Sequence, residues 1–184
     1  MGLLNIKVLI SRYIPKDIVG GQKDLTFEIL ISMLETSWLP KDTIVDQLFS
    51  FLSSEEHMWT AYRWVKQSTI YLRGHPVYVL QPKQKYQFLK SFFKSRCFGQ
   101  EKKLDLMQIV LGNDISILAE KSRAGCLSSL PIPEVKARIW KEIIDPNTSD
   151  SHVARNAKMA EFYDDDQLDL VQHYFSKFFD ELVA

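Results

Sequence analysis

Glycine and proline are scarce in this chain, seven of each in 184 residues. A sandwich or barrel needs a turn every ten or so residues, so this scarcity argues against both. Cysteine is scarcer still. Cys97 and Cys126 stand alone, with no C-x-x-C spacing and no disulfide framework. A reducing, cytoplasmic compartment is the expectation. Net charge is absent as well: 23 Lys and Arg balance 23 Asp and Glu, so the whole chain carries no bias towards nucleic acid or anionic lipid. Long apolar runs are missing too. The stretch Val8-Leu9-Ile10 is broken upstream by Asn5 and Lys7 and is far too short to span a bilayer. No leader-like cleavage pattern is expected there, and Ile6 stands where a myristoylated glycine at position 2 would need Ser or Thr.

What is present in quantity is Leu, Ile, Lys, Glu and Gln in long segments, which are good helix formers. The spacing predicts an all-α fold, a succession of helices with short joints. The first clear one covers 24–37, capped by Asp24, with Leu25, Ile29 and Met33 at helical spacing. Pro40 ends it, and a second follows from Asp42 or Thr43 with Ile44, Val45, Leu48, Phe49 and Leu52. Ser53-Ser54 before Glu55-Glu56 is a start signal. The helix it opens carries Met58, Ala61, Tyr62, Val65, Thr69 and Leu72 on one stripe, ending at Gly74-His75-Pro76.

Pro82 opens a helix to about Phe98, with Tyr86, Leu89, Phe92 and Phe93 inward and most lysines outward, and Gly99 closes it. Gly112 and Gly125 are expected where helix ends need positive φ. Leu104, Met107, Val110 and Leu111, then Ile115, Leu118 and Ala119, lie between them. Pro131 and Pro133 precede the stripe Val135, Ile139, Trp140, Ile143 and Ile144, which stops at Asp145-Pro146-Asn147. Thr148-Ser149 caps 150–162. Asp164-Asp165-Asp166 then lead a helix with Leu168, Val171, Phe175, Phe178, Phe179 and Leu182. Many amphipathic helices of similar length suggest antiparallel pairs stacked as a curved, HEAT/armadillo-like superhelix, read as one array over 1–184 with 1–23 the least defined part.

The residue inventory offers no catalytic centre. A zinc peptidase needs two His one helical turn apart with a Glu beside them, and H-E-x-x-H occurs nowhere. Glu55-Glu56-His57 points to different faces of a helix, as an ordinary first turn does. Asp169 and His173 share a face at i and i+4, enough for a weak metal site or a solvated pair. Cys97 beside Arg96 could carry an activated thiolate, although Phe98 and the apolar stripe favour a packed cysteine. Catalytic, cofactor and metal residues are therefore all expected to be none. Residues 81–103 carry seven Lys or Arg and one Glu, while 164–184 carry six acids and one Lys. This asymmetry reads as a binding face, as solvated surface, or as two segments facing one another. The aromatics among the lysines fall on the stripe to be buried, so nucleic acid is not an expected partner.

One stretch resembles a known family. Ala124-Gly125-Cys126-Leu127-Ser128-Ser129-Leu130-Pro131, then Val135-Lys136-Ala137-Arg138-Ile139-Trp140-Lys141-Glu142-Ile143, is similar to a segment near the C-terminus of zinc metallopeptidases of the aminopeptidase N and puromycin-sensitive aminopeptidase family. Thr148-Ser149-Asp150, Met159 to Phe162, Gln167 to Val171 and His173-Tyr174-Phe175 fit the elements that follow. Upstream, Glu55 to Trp64 resembles an acid-then-Trp helix of the same domain. The resemblance is best over 115–183 and extends to 43–75. It implies a fragment of a larger aminopeptidase: a non-catalytic helical domain that covers the active site and shapes the peptide chamber. Zinc would belong to the parent enzyme rather than to this chain. The implied partners are the parent's catalytic domain and peptide substrates. The alternative is a stand-alone helical-repeat scaffold that binds a protein or peptide in its concave face.

Overall fold

The computed structural model describes residues 20–36, 39–52 and 54–177, with side chains from Asp24 onward. Its contacts divide the chain into two compact units, Met1–Ala61 and Tyr62–Ala184. The fold is all-α apart from one small hairpin. The expectations on 1–19 and on Phe178, Phe179 and Leu182 lie outside the described residues.

In the first unit, α1 (Gly20–Thr36) packs on α2 (Lys41–Ser50). The helix begins earlier than Asp24 and buries a different stripe from the one expected: Phe27, Leu30 and Leu34 are inside, while Leu25 is 62% and Ile29 50% exposed. Apolar residues occur on both sides of α1, so spacing alone does not select the buried face. Helix α2 starts on Pro40, whose carbonyl accepts from the Thr43 and Ile44 amides, and buries Ile44, Val45, Leu48 and Phe49 as its periodicity demands. Leu52 lies beyond its end. Helix α3 (Glu55–Gln67) begins where Ser54 Oγ accepts the His57 amide at 3.2 Å, as the Ser-Ser-Glu-Glu signal required.

The second unit opens with a departure from the all-helical reading. The helix expected to reach Leu72 stops at Gln67, and Ser68 adopts a φ of 55°. Thr69–Leu72 (β1) then pairs antiparallel with His75–Val79 (β2), with Leu72 opposite His75. The two-residue loop Arg73-Gly74 has φ of 49° and 82°, the mirror-image turn whose twist suits a hairpin. The register shifts between Ile70 and Tyr71, and Pro76 lies opposite Tyr71. The strand-favouring run Thr-Ile-Tyr-Leu was masked in the sequence because Thr69 and Leu72 also continue the spacing of the preceding helix.

Helices then follow in series: α4 (Pro82–Lys94), α5 (Gln100–Leu111), α6 (Ile117–Ser128), α7 (Pro133–Ile144) and α8 (His152–Phe162). A 3-10 turn, Asp165–Gln167, leads into α9 (Leu168–Val171), and residues 173–177 are helical again. Helix α4 ends at Lys94, short of Phe98, and Gly99 stands at the N-cap of α5 instead of closing α4. Gly112, with φ of 42°, terminates α5 as expected. Gly125 does not have positive φ; it lies inside α6. Ser151, not Thr148 or Ser149, caps α8 by accepting the Ala154 amide at 3.0 Å. Asp164 caps the 3-10 turn by accepting the Asp166 amide.

The core of this unit is aromatic. Phe88, Leu89, Phe92 and Phe93 of α4 are fully enclosed, and the Phe92 ring meets Phe98 at a tilt, ring centres 4.4 Å apart. Trp140 of α7 lies 5.8 Å from Phe162 and 5.0 Å from Tyr174, ring centre to ring centre. In the last segment Val171 and Tyr174 are buried while Leu168 and Phe175 are more than two-fifths exposed, so the inward stripe differs from the one expected. Ile115 and Leu118, named among the apolar residues between Gly112 and Gly125, are exposed as well, Ile115 almost completely.

Candidate functional site

In the second unit α6 packs extensively on α8, and small residues lie in the contact. Ala124, Ala154 and Ala157 form one buried cluster. A Cβ added to Gly125 would stand 3.1 Å from Glu161 Cγ and 3.8 Å from the Ala157 carbonyl. A Cβ there would meet the Ala157 carbonyl at ordinary distance but press on the Glu161 side chain by a few tenths of an ångström, so Gly125 leaves room for Glu161 and does not serve a turn. Cys126 beside it is fully buried, and that burial pushes its thiol up to about 12. Cys97, expected to be packed, is exposed.

The ends of these helices share a device. The last carbonyls of a helix have no partner within it and form the negative pole of its dipole. Here other elements supply the donors. Lys136, with no exposed surface, donates to the Ser128 carbonyl at the end of α6 and to the Phe162 carbonyl at the end of α8, each at 2.8 Å. Lys103, also buried, donates to the Phe93 and Ser95 carbonyls at the end of α4. Arg155 holds the Ile143 carbonyl at the end of α7 through Nε at 2.9 Å and Nη2 at 2.6 Å. The buried Gln167 amide donates to the Lys94 and Ser129 carbonyls. Burial pushes both Lys136 and Lys103 down to about 8. A cation at a helix C-terminus is favoured by the helix dipole. These anchors lie on apolar stripes: Lys136 shares a face with Ile139, Trp140 and Ile143. A lysine in such a register was the available signal, and the expected stripe passed over it.

The charge asymmetry resolves in the same region. Lys90 and Lys94 both reach Glu161, the second at 3.3 Å. Lys94 also meets Asp164 at 2.7 Å. Burial alone would lower Lys94, but the hydrogen bond and charge of Asp164, with the charge of Glu161, raise it above its ordinary value. Arg96 pairs with Asp169 at 2.5 Å. Basic and acidic segments thus face one another, one of the readings that the sequence allowed. Asp169 is turned to Arg96 rather than joined with His173, which lies against Tyr174 with ring centres 3.9 Å apart.

Between α4, α6 and α8 runs a cleft of about 370 Å³. Lys83, Lys90, Lys94 and Lys121 line it against a single acid, Glu161, with Ser122, Gly125, Ala157 and Ala160 keeping it open. Tyr86 contributes its edge, but its hydroxyl is committed to Asp114 at 2.6 Å. Burial and that bond push it up to about 12. Periodicity could place the lysines on α4, but not Lys121 and Glu161 opposite them.

In the first unit, buried His57 stacks on Phe27 at 4.0 Å. Its Nδ1 lies 3.4 Å from Asp24 and its Nε2 3.6 Å from Glu28, without a hydrogen bond at Nδ1. Glu55 and Glu56 are exposed and take no part in this cluster, as their different helix faces required. Among the described residues no group of three His, Cys, Asp or Glu is placed to hold a metal ion, and no helix is long and apolar enough to cross a membrane. No family model and no curated protein matches this chain.

Proposed function

We propose that the chain is a non-catalytic helical domain of a zinc-dependent aminopeptidase, covering the active site of a parent enzyme and shaping its peptide chamber. One observation carries this reading beyond the resemblance itself. The residues that resemble the family are those that lock the last helices together. Gly125 lies in the α6–α8 contact beside Glu161, Lys136 holds two helix ends, and Trp140 packs on Phe162 and Tyr174. A motif made of spacing, capping and packing residues suits a rigid wall, because a wall must keep its shape while peptides enter and leave. Stacking of antiparallel helix pairs into a curved superhelix belongs to the same proposal, as does a cytoplasmic location.

The test begins with the coding sequence upstream of the chain. H-E-x-x-H and a distal Glu within several hundred residues in the same reading frame are expected, and a promoter and stop directly upstream would overturn the assignment. The catalytic part, expressed separately, should then co-elute with this chain and change its preference among peptides of different length. Separate elution with unchanged length preference would count against enclosure. A second reading, a peptide-binding scaffold, is favoured by the lysine-lined cleft, which needs no parent enzyme.

A further inference from the structure

We infer that His57 is a proton-operated latch: the protonated ring ties the start of α3 to α1 at two points, and loss of the proton releases one of them. The inference concerns the first unit alone and is independent of any relation to aminopeptidases. It starts from an orphaned group. His57 is 8% exposed, and its Nδ1, shielded from solvent, has no hydrogen-bond partner. Buried polar atoms are nearly always paired, so an orphan nitrogen calls for a reason. What stands beside it is a carboxylate, Asp24 Oδ1 at 3.4 Å, while Glu28 Oε1 lies 3.6 Å from Nε2. Two acids one helical turn apart on α1 thus flank both nitrogens of one ring. Phe27, on the same helix, stacks on the ring face at 4.0 Å and 19° and fixes its plane.

A neutral imidazole carries one N–H. It can donate to one of these carboxylates and turns a lone pair towards the other. The imidazolium donates from both nitrogens, so both carboxylates can accept. Acids at both nitrogens suit the charged ring and neither neutral tautomer. Burial opposes a charge on the ring, and two facing carboxylates offset that cost. The other charged groups nearby are directed elsewhere. On α3, Glu55 accepts from Trp59 Nε1 at 3.3 Å and Glu56 is exposed. On α2, Lys41, Asp42 and Asp46 form no ion pair with His57 among the described residues.

Imidazole is the side chain whose ordinary titration falls between about pH 5 and 8, so the latch works in the physiological range. Its direction follows from the geometry: the ties are complete in acid and are lost as pH rises through that range. Helix α1 meets α2 through apolar side chains, which do not titrate. The element that loosens is therefore α1.

The test is amide hydrogen exchange of the whole chain at about pH 5.5 and about pH 8, either side of the imidazole range. Rates are corrected for the pH dependence of exchange itself, and α6–α8 serve as the internal reference. Relative protection of α1 should fall roughly threefold between the two, the size of a pair of partly exposed ties. Asp24→Asn combined with Glu28→Gln keeps the ring and its stack but removes both negative charges, and should abolish that fall. His57→Phe keeps an aromatic ring against Phe27 and cannot titrate, and should abolish it too. His152→Gln, exposed on α8, should leave it unchanged. Protection of α1 that stays level or rises with pH in the wild type would overturn the proposal. An undiminished fall in the double carboxylate variant or in His57→Phe would do the same.

Discussion

The two units are held by different kinds of interaction. In the first, α1 and α2 meet through apolar side chains such as Phe27, Leu34, Val45 and Leu48. His57, its only buried polar side chain among the described residues, is left without a hydrogen bond at Nδ1. In the second, the apolar core is crossed by donors that reach the ends of other helices, Lys103, Lys136, Arg155 and Gln167. Apolar burial is non-directional and lets helices slide. A buried ammonium that must satisfy two carbonyls fixes where two helices end relative to one another. The second unit is therefore expected to be the more uniquely packed, and hydrogen exchange should show slower amide exchange in α6–α8 than in α1–α2. Equal protection in the two would erase the distinction.

Substitutions sharpen that contrast, each measured by denaturant midpoint. Trp140→Ala should have the largest effect, about 3–5 kcal/mol, because it empties the space between Phe162 and Tyr174. Lys136→Met keeps the volume but strips the Ser128 and Phe162 carbonyls of a donor, at a cost of roughly 2–4 kcal/mol. An unchanged midpoint there would mean that the helix-end anchors contribute packing alone. Phe175→Ala, with the ring 44% exposed, should cost less than either, about 1 kcal/mol. Leu25→Ala should fall within roughly 0.5 kcal/mol of the wild type, and a larger loss would show that α1 buries its other face. The cysteines give a reagent-based check: a thiol probe at pH 8 should modify Cys97 promptly and Cys126 only on unfolding.

How much of this was legible follows from how each residue signals itself. Helix α7 could be read almost to the residue because Pro133 starts it, Asp145 stops it and its apolar residues keep one stripe. Helix α1 could not, since Leu25, Phe27, Ile29, Leu30 and Leu34 leave more than one stripe available. The hairpin was hidden because Thr69 and Leu72 fit the period of the helix before them, and the break depends on Ser68 and Gly74 adopting positive φ. The polar anchors were hidden because a lysine is usually solvated, and only tertiary contact turns it inward. The facing of residues 90–96 by 161–169 was one open option among several. The cleft was invisible, since Lys121 and Glu161 come from helices whose neighbourhood no local pattern encodes.

The central claim is that the chain encloses and does not catalyse. Its most direct test is to incubate the purified chain with zinc, dialyse it, and measure both bound metal and hydrolysis of aminoacyl reporter substrates. The account predicts substoichiometric zinc and no turnover above buffer. One tightly held zinc per chain, together with robust hydrolysis, would contradict it.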